Sequence, residues 1–224
     1  MTTQNKFLFW QQFQKNFFHV GAVLPSSAAL GKAATFYLSE KKENIKVLEA
    51  GAGTGSFTRE ILPFLDAGDS LDAVEINPDL IRHLYLRFQS EPDFQVANGV
   101  DVNLINADLL QFPFNKQYDY IIFSLPMTNF PSQMVEEVLT LMMKHLKPGG
   151  VFSYVKYIFI GQVKYMYSQS ETKANMKNTQ EIIKRFADQY QFDRKVVGAN
   201  VPPTWVHYWR KPIQDTSESD TVEE

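Results

Sequence analysis

From Ile45 onward, short runs of β-branched and aromatic residues alternate with stretches whose apolar positions recur at helical spacing. The runs "IKVLEA" (45–50), "SLDAVEI" (70–76), "VNLINAD" (102–108), "YDYIIFSL" (118–125) and "GVFSYVKYIF" (150–159) predict buried strands, because each is short, apolar and bounded by turn residues. Between them the spacing predicts helices over Thr54–Leu65, broken near its end by Pro63, and from Pro78 to about Gln89, capped by Asn77. Further helices are predicted over Pro131–Leu146, ended by Lys147, Pro148 and Gly149, and over Lys173–Tyr190. The strands "FDRKVVGA" (192–199) and "TWVHYWR" (204–210) are separated by "NVPP" and not by a helix, which predicts an antiparallel hairpin at one edge. The fold class is therefore α/β: a seven-stranded, mostly parallel sheet with helices on both faces.

Ahead of the sheet the pattern changes. In "NKFLFWQQFQKNFFHV" Phe9, Phe13 and Phe17 fall four residues apart, joined by Trp10 and Phe18, while Gln11, Gln12, Lys15 and Asn16 lie largely elsewhere. An aromatic face edged by Lys6 and Lys15 suits an amphipathic helix lying in a membrane interface. The alternative is that this face packs on the core. The chain then divides into an amphipathic helix and lead-in over 1–25, one domain over 26–211, and an acidic tail over 212–224.

Composition narrows the chemistry. A chain of 224 residues with 44% hydrophobic content buries one substantial core. With no cysteine, disulfides and thiolate metal sites are ruled out, and the four histidines have no metal-ligand spacing, so no metal is expected. The net charge of −3 is dominated by five acids in the last eleven residues, which leaves the body near +2. That is not the basic footprint of a nucleic-acid binder. No apolar run approaches the roughly 20 residues that span a bilayer, so a cytoplasmic protein, peripherally associated with the inner membrane, is expected.

The chemistry-bearing motif is "VLEAGAGTGSFTREI", where Gly51, Gly53 and Gly55 alternate between a strand and a helix. A dinucleotide site spaces its glycines GxGxxG to seat a pyrophosphate. Here the order is ExGxGxG, and Glu49 would repel a pyrophosphate but suit a cationic amino-acid ligand. Glu75 ends the second strand, where a carboxylate can accept both hydroxyls of a ribose, and Asp108 follows the third, within reach of an adenine amine. Taken singly, either acid is equally a helix cap or an exposed charge. Together they resemble the constellation of class I S-adenosylmethionine-dependent methyltransferases, over nearly all of residues 26–211. The resemblance implies a Rossmann-like sandwich, S-adenosylmethionine as cofactor, Gly51, Gly53 and Gly55 around its methionine moiety, Glu75 on the ribose and Asp108 near the adenine. Glu49 then orders the loop and the methionine amino group.

The acceptor is addressed by "SLPMTNFP" (124–131). Enzymes that methylate base amines place an amide or carboxylate at the first of these positions and an aromatic ring at the fourth. Ser124 and Met127 stand there instead, Ser124 as a candidate contact to the cofactor. The Leu125 carbonyl, directed by Pro126, still accepts from an amine. This loop, with "VGAVLPSSAAL" (20–30), "GGVFSYVKY" (149–157) and "NVPPTWVHYWR" (200–210), resembles the bacterial phospholipid N-methyltransferases. The resemblance implies phosphatidylethanolamine as acceptor, methylated stepwise to phosphatidylcholine, with Asn129 beside it. Tyr157, Tyr154 and His19 are candidates to orient the amine or relay its proton; the two tyrosines, an odd number apart, point to opposite faces of a regular strand. Lys156 and Arg210 are candidates for the lipid phosphate. Two other readings remain open from sequence: a ribosomal RNA adenine methylase-like enzyme and a cofactor-binding protein without catalysis.

Overall fold

The computed structural model describes residues 27–42, 44–158, 170–200 and 202–213. The predicted aromatic helix, His19 and the acidic tail from residue 214 on lie outside them, as do the bounds drawn at residues 25 and 26.

The chain begins with helix α1 (Ala28–Ala34), whose cap Ser27 accepts from the Leu30 amide through its side chain. Strand β1 (Lys46–Ala50) runs into the glycine loop and short helix α2 (Thr58–Ile61), continued by a 3-10 turn over Leu62–Phe64. The helix expected from Thr54 thus starts four residues later, because the backbone at Gly51, Gly53 and Gly55 has positive φ and turns instead of coiling. Strand β2 (Ser70–Glu75) leads to helix α3 (Pro78–Ser90). There Asn77 Oδ1 accepts from the Asp79 amide at 2.9 Å and Pro78 occupies the first turn, as the sequence predicts. Strand β3 (Asp101–Asn106), strand β4 (Tyr118–Phe123), helix α4 (Ser132–His145) and strand β5 (Leu146–Tyr157) follow. Helix α5 (Ser170–Tyr190) and strands β6 (Gln191–Val197) and β7 (Thr204–Arg210) close the fold.

The sheet order is β3-β2-β1-β4-β5-β7-β6. Strands β1 to β5 pair in parallel, and β7 runs antiparallel to both β5 and β6. Two apolar layers sandwich it. One joins Leu48, Ile121, Phe123, Phe152 and Trp209 to α4 and α5, and the other joins Val47, Ile122, Val151 and Tyr208 to α1, α2 and α3. Burial on both faces is what makes the central strands read as nearly continuous apolar runs. Strand order reverses between β1 and β4, and open α/β sheets bind ligands outside the carboxyl ends of the strands at that point. Among the described residues no helix is long and apolar enough to cross a membrane.

Candidate functional site

The glycine loop leaves β1 at the switch point. Gly51 has φ +86°, and a Cβ there would lie 2.4 Å from Leu125 Cδ2, so the loop packs directly against the segment that follows β4. Gly53 has φ +56°, and a Cβ there would meet nothing closer than the Gly51 carbonyl oxygen at 4.0 Å, which leaves the loop open on that side. Its amide donates to Glu75 Oε2 at 2.9 Å, while Oε1 accepts from the Asn77 amide at 2.9 Å. Glu75 therefore braces the glycine loop from the end of β2. Gly55 differs: a Cβ there would meet Leu84 Cδ1 at 2.5 Å and Phe94 Cε1 at 2.9 Å, so its bare side faces the core. Asp108 accepts from the Leu110 amide at 3.0 Å and from Gln111 Nε2 at 3.3 Å.

A cleft of about 240 Å³, counting its solvent-open mouth, is lined by Gly51, Glu75, Ile76, Asp108, Leu109 and Leu125. It brings two predicted carboxylates to one end of an apolar slot, the arrangement a nucleoside needs: acceptors for its hydroxyls and amine, and aliphatic walls for its ring. Glu49 lies one layer deeper. It is fully buried, its Oε2 accepts from the Thr58 hydroxyl at 2.6 Å, and its Oε1 has no partner. Burial pushes its carboxyl up to about 8, with the charge of Glu75 adding to the effect and the hydrogen bonds from Thr58 opposing it. A buried carboxylate oxygen left without a donor fits a ligand that brings an ammonium, and the open side of Gly53 leaves room beside the loop for that ligand's chain. No sequence signal singles out Thr58; its place nine residues after Glu49 becomes visible only once the loop is folded.

After β4, the Ser124 hydroxyl faces the carbonyl oxygens of Ala50 and Gly51 and its amide donates to the Ala50 carbonyl at 3.1 Å. Ser124 thus ties β4 to the glycine loop. Met127 is 3% exposed and belongs to the core cluster beneath α4, so it fills the interior and is no counterpart of a base-stacking ring. Pro126 precedes a 3-10 turn over Met127–Asn129, closed by the Asn129 amide donating to Pro126 at 3.0 Å. Asn175 on α5 clamps the end of this loop, accepting from the Ser132 amide at 2.7 Å and donating to the Phe130 carbonyl at 3.0 Å. No sequence signal points to Asn175, which is 45 residues from Phe130.

Beyond the loop, β5 alternates as expected: Phe152 and Tyr154 join one core layer, Val151 and Val155 the other. Tyr154 is buried, stacks on His207 with ring centroids 4.8 Å apart and 12° between planes, and has its phenol pushed up by burial. Tyr157 is the last residue of β5 and half-buried. Lys156 stands at the same carboxyl end, its ammonium pushed down by burial. Arg210 does not share this site. Because β7 is antiparallel, Arg210 pairs in register with Val151 while Lys156 pairs with Trp205, which puts Arg210 toward the opposite end of the sheet. There it lies over the Phe192 ring at 4.2 Å and 3.9 Å from Glu40. His19, Phe9, Trp10, Phe13 and Phe17 fall outside the described residues.

Residues 47–150 match the family model of a methyltransferase domain. Ornithine lipid N-methyltransferase of Singulisphaera acidiphila is 26% identical over 204 residues, covering 91% of this chain and 95% of the relative. Ribosomal RNA small subunit methyltransferase A of Trichormus variabilis is 32% identical over 102 residues, but these are 45% of this chain and 36% of that protein. Among solved structures, the N-methyltransferase NodS from Bradyrhizobium japonicum superposes with a TM-score of 0.58 at 15% identity, over 82% of this chain and 94% of its own. Magnesium protoporphyrin IX methyltransferase from Synechocystis, solved with bound S-adenosylmethionine, gives 0.57 at 13% identity, over 82% and 79%. These two likenesses concern the fold. The match runs from β1 to the start of β5, the fold is that of the Rossmann-like methyltransferases, and the cofactor for the cleft at the switch point is S-adenosylmethionine.

Proposed function

We propose that this enzyme methylates the amine of a lipid headgroup, with phosphatidylethanolamine as the acceptor and phosphatidylcholine as the product of successive transfers at a membrane surface. The observation that carries the reading is the extent of similarity to the ornithine lipid enzyme, which runs through both halves of the sheet, whereas similarity to the ribosomal RNA enzyme covers less than half of this chain. The second likeness, at 102 residues, is too short to span the sheet, and the first runs through nearly the whole chain.

In this reading Glu75 accepts from the ribose hydroxyls, Asp108 from the adenine amine, and Glu49 receives the methionine ammonium, with Gly53 admitting the chain between, Gly51 turning the loop against Leu125 and Gly55 packing it from behind. The cofactor supplies a methyl group activated on a sulfonium. The protein's part is alignment and exclusion of water, since an in-line transfer depends on reacting atoms held about 3 to 3.5 Å apart. The Leu125 carbonyl, set in direction by Pro126, accepts from the amine and aims its lone pair, with Asn129 beside it. The acceptor's ammonium must first release a proton, and Tyr157, Tyr154 and His19 are the groups for that step. Phe9, Trp10, Phe13 and Phe17 dock the enzyme on the bilayer.

The test supplies radiolabelled S-adenosylmethionine with phosphatidylethanolamine vesicles or with an adenine-containing RNA. Label in methylated lipid is expected. Label in RNA and none in lipid overturns the reading, and binding of cofactor without transfer to either leaves a non-catalytic protein.

A further inference from the structure

Several partly buried cations elsewhere in the molecule are answered by carboxylates, Lys41 by Asp66 and Asp69, Arg87 by Glu91, Lys116 by Asp72 and Lys147 by Asp119, while Lys211 donates to the Leu146 carbonyl and Lys195 lies over the Phe36 ring. Lys156 is not so answered. Among the described residues its ammonium forms no hydrogen bond or ion pair, although burial depresses its basicity. The neighbouring ionisable side chain, His207, offers no negative charge. Burial and the cations Lys156 and Arg194 hold its imidazole down to about 4, so it is neutral. Its Nδ1 lies 2.7 Å from Gln191 Oε1 and its ring stacks on Tyr154, while Nε2 is buried without a partner. A desolvated cation beside an unpartnered imidazole nitrogen is costly unless a ligand completes it.

The position is also informative. Tyr154 pairs in register with Phe123. Lys156 is two residues beyond Tyr154 and Leu125 two residues beyond Phe123, so both rise from adjacent strand ends, which stand about 5 Å apart. An amine held at Leu125 with an anion held at Lys156 is a short zwitterion.

We propose that Lys156 is the anion-binding residue of the acceptor site, so that the enzyme takes amines bearing a phosphate or a carboxylate a few bonds from the nitrogen and not simple alkylamines. This rests on the lipid-amine reading above and narrows it to zwitterionic headgroups. Arg194, held over the Trp205 ring at 4.8 Å, adds positive charge to the same end of the sheet, and His207, fixed by Gln191 and Tyr154, walls the anion's pocket.

Methyl transfer is measured for wild type, Lys156→Arg and Lys156→Met on phosphatidylethanolamine, on ornithine lipid and on octadecylamine, each in a nonionic detergent. Lys156→Met is expected to raise KM at least tenfold for the preferred anion-bearing lipid, with Lys156→Arg restoring most of it and cofactor affinity unchanged by calorimetry, which also reports folding. Which lipid is preferred identifies the anion as phosphate or carboxylate. Octadecylamine used as well as either zwitterion, or an equal loss on all three, overturns the inference while leaving lipid methylation standing. If no lipid is methylated, binding still decides. Phosphoethanolamine and inorganic phosphate are titrated against the His207 ring resonances. A saturable shift in wild type that is lost in Lys156→Met supports the subsite, and no shift in wild type overturns it.

Discussion

On the β1–β3 side of the switch point, buried carboxylates are answered from close by. Glu75 holds the amides of Gly53 and Asn77, and Asp72 receives the Tyr118 hydroxyl at 2.6 Å together with Lys116 and Asn103. On the β5–β7 side, aromatic rings do the packing: Phe152, Tyr154 and Trp209 lie against one another and Phe186 stacks on Trp209 at 6.1 Å. There Ser153 Oγ, His207 Nε2 and Trp209 Nε1 are buried without partners, whereas in β1–β3 only Glu49 Oε1 is so, among the described residues. The first half is preorganised by its own hydrogen bonds around a small cleft. The second is held by shape, and several of its buried polar atoms are left without partners among the described residues.

Four substitutions break or sharpen that contrast, from the largest expected effect to the smallest. Glu75→Ala removes a carboxylate that two backbone amides point at, and hydrogen bonds to a charged group contribute about 1.5 to 3 kcal/mol each. Cofactor affinity is expected to fall at least ~100-fold by calorimetry; an unchanged Kd removes Glu75 from the site. Met127→Ala opens a cavity in the core and is expected to cost about 2 to 5 kcal/mol in urea denaturation, while cofactor affinity is retained. Loss of affinity with intact stability would put Met127 in the cleft after all.

The third test uses pH. Glu49 has its folded-state pKa raised from 4.5 to about 8, so the folded chain keeps a proton that the unfolded chain releases. Its favourable balance is complete below the unfolded value and is lost as pH rises toward the folded one. Without cofactor, wild type should lose stability between pH 5 and 8, and Glu49→Gln should flatten that slope by on the order of a few kcal/mol. Parallel melting curves for the two proteins at both pH values would contradict the buried, protonated state. The smallest effect is expected for Gly53→Ala. Space is open there but φ is positive, so the cost is about 1 to 2 kcal/mol, read as a modest drop in Tm.

The same contrast explains what is legible in the chain. The cofactor half is written locally: strand, ExGxGxG loop and the acids at the ends of the next strands follow one another within sixty residues, and each has a chemical reason to stand where it does. The seven strands and the antiparallel closing pair also follow from periodicity and from the short "NVPP" link, whereas the order that sets β7 inside β6 does not. The rest of the candidate site is assembled from separated pieces. Arg210 reads as a neighbour of Lys156 until the antiparallel run of β7 carries it to the other end, and Asn175 and His207 carry no motif at all. Met127 looks like a substituted platform because its position in the motif gives no hint that a 3-10 turn rotates it into the core.

Strand β7 is made after β6 yet lies inside it, between β6 and β5. During synthesis the outer edge of β5 therefore stays unpaired until residues 204–210 emerge, and the pairing that covers it joins segments about fifty residues apart, a slow kind of contact to form. An exposed strand edge is a template for wrong pairings in the meantime. A nascent chain halted near residue 200 already holds Glu49, the glycine loop, Glu75, Asp108 and Leu125, but Lys156 has no Trp205 opposite it and Tyr154 no His207 to stack on.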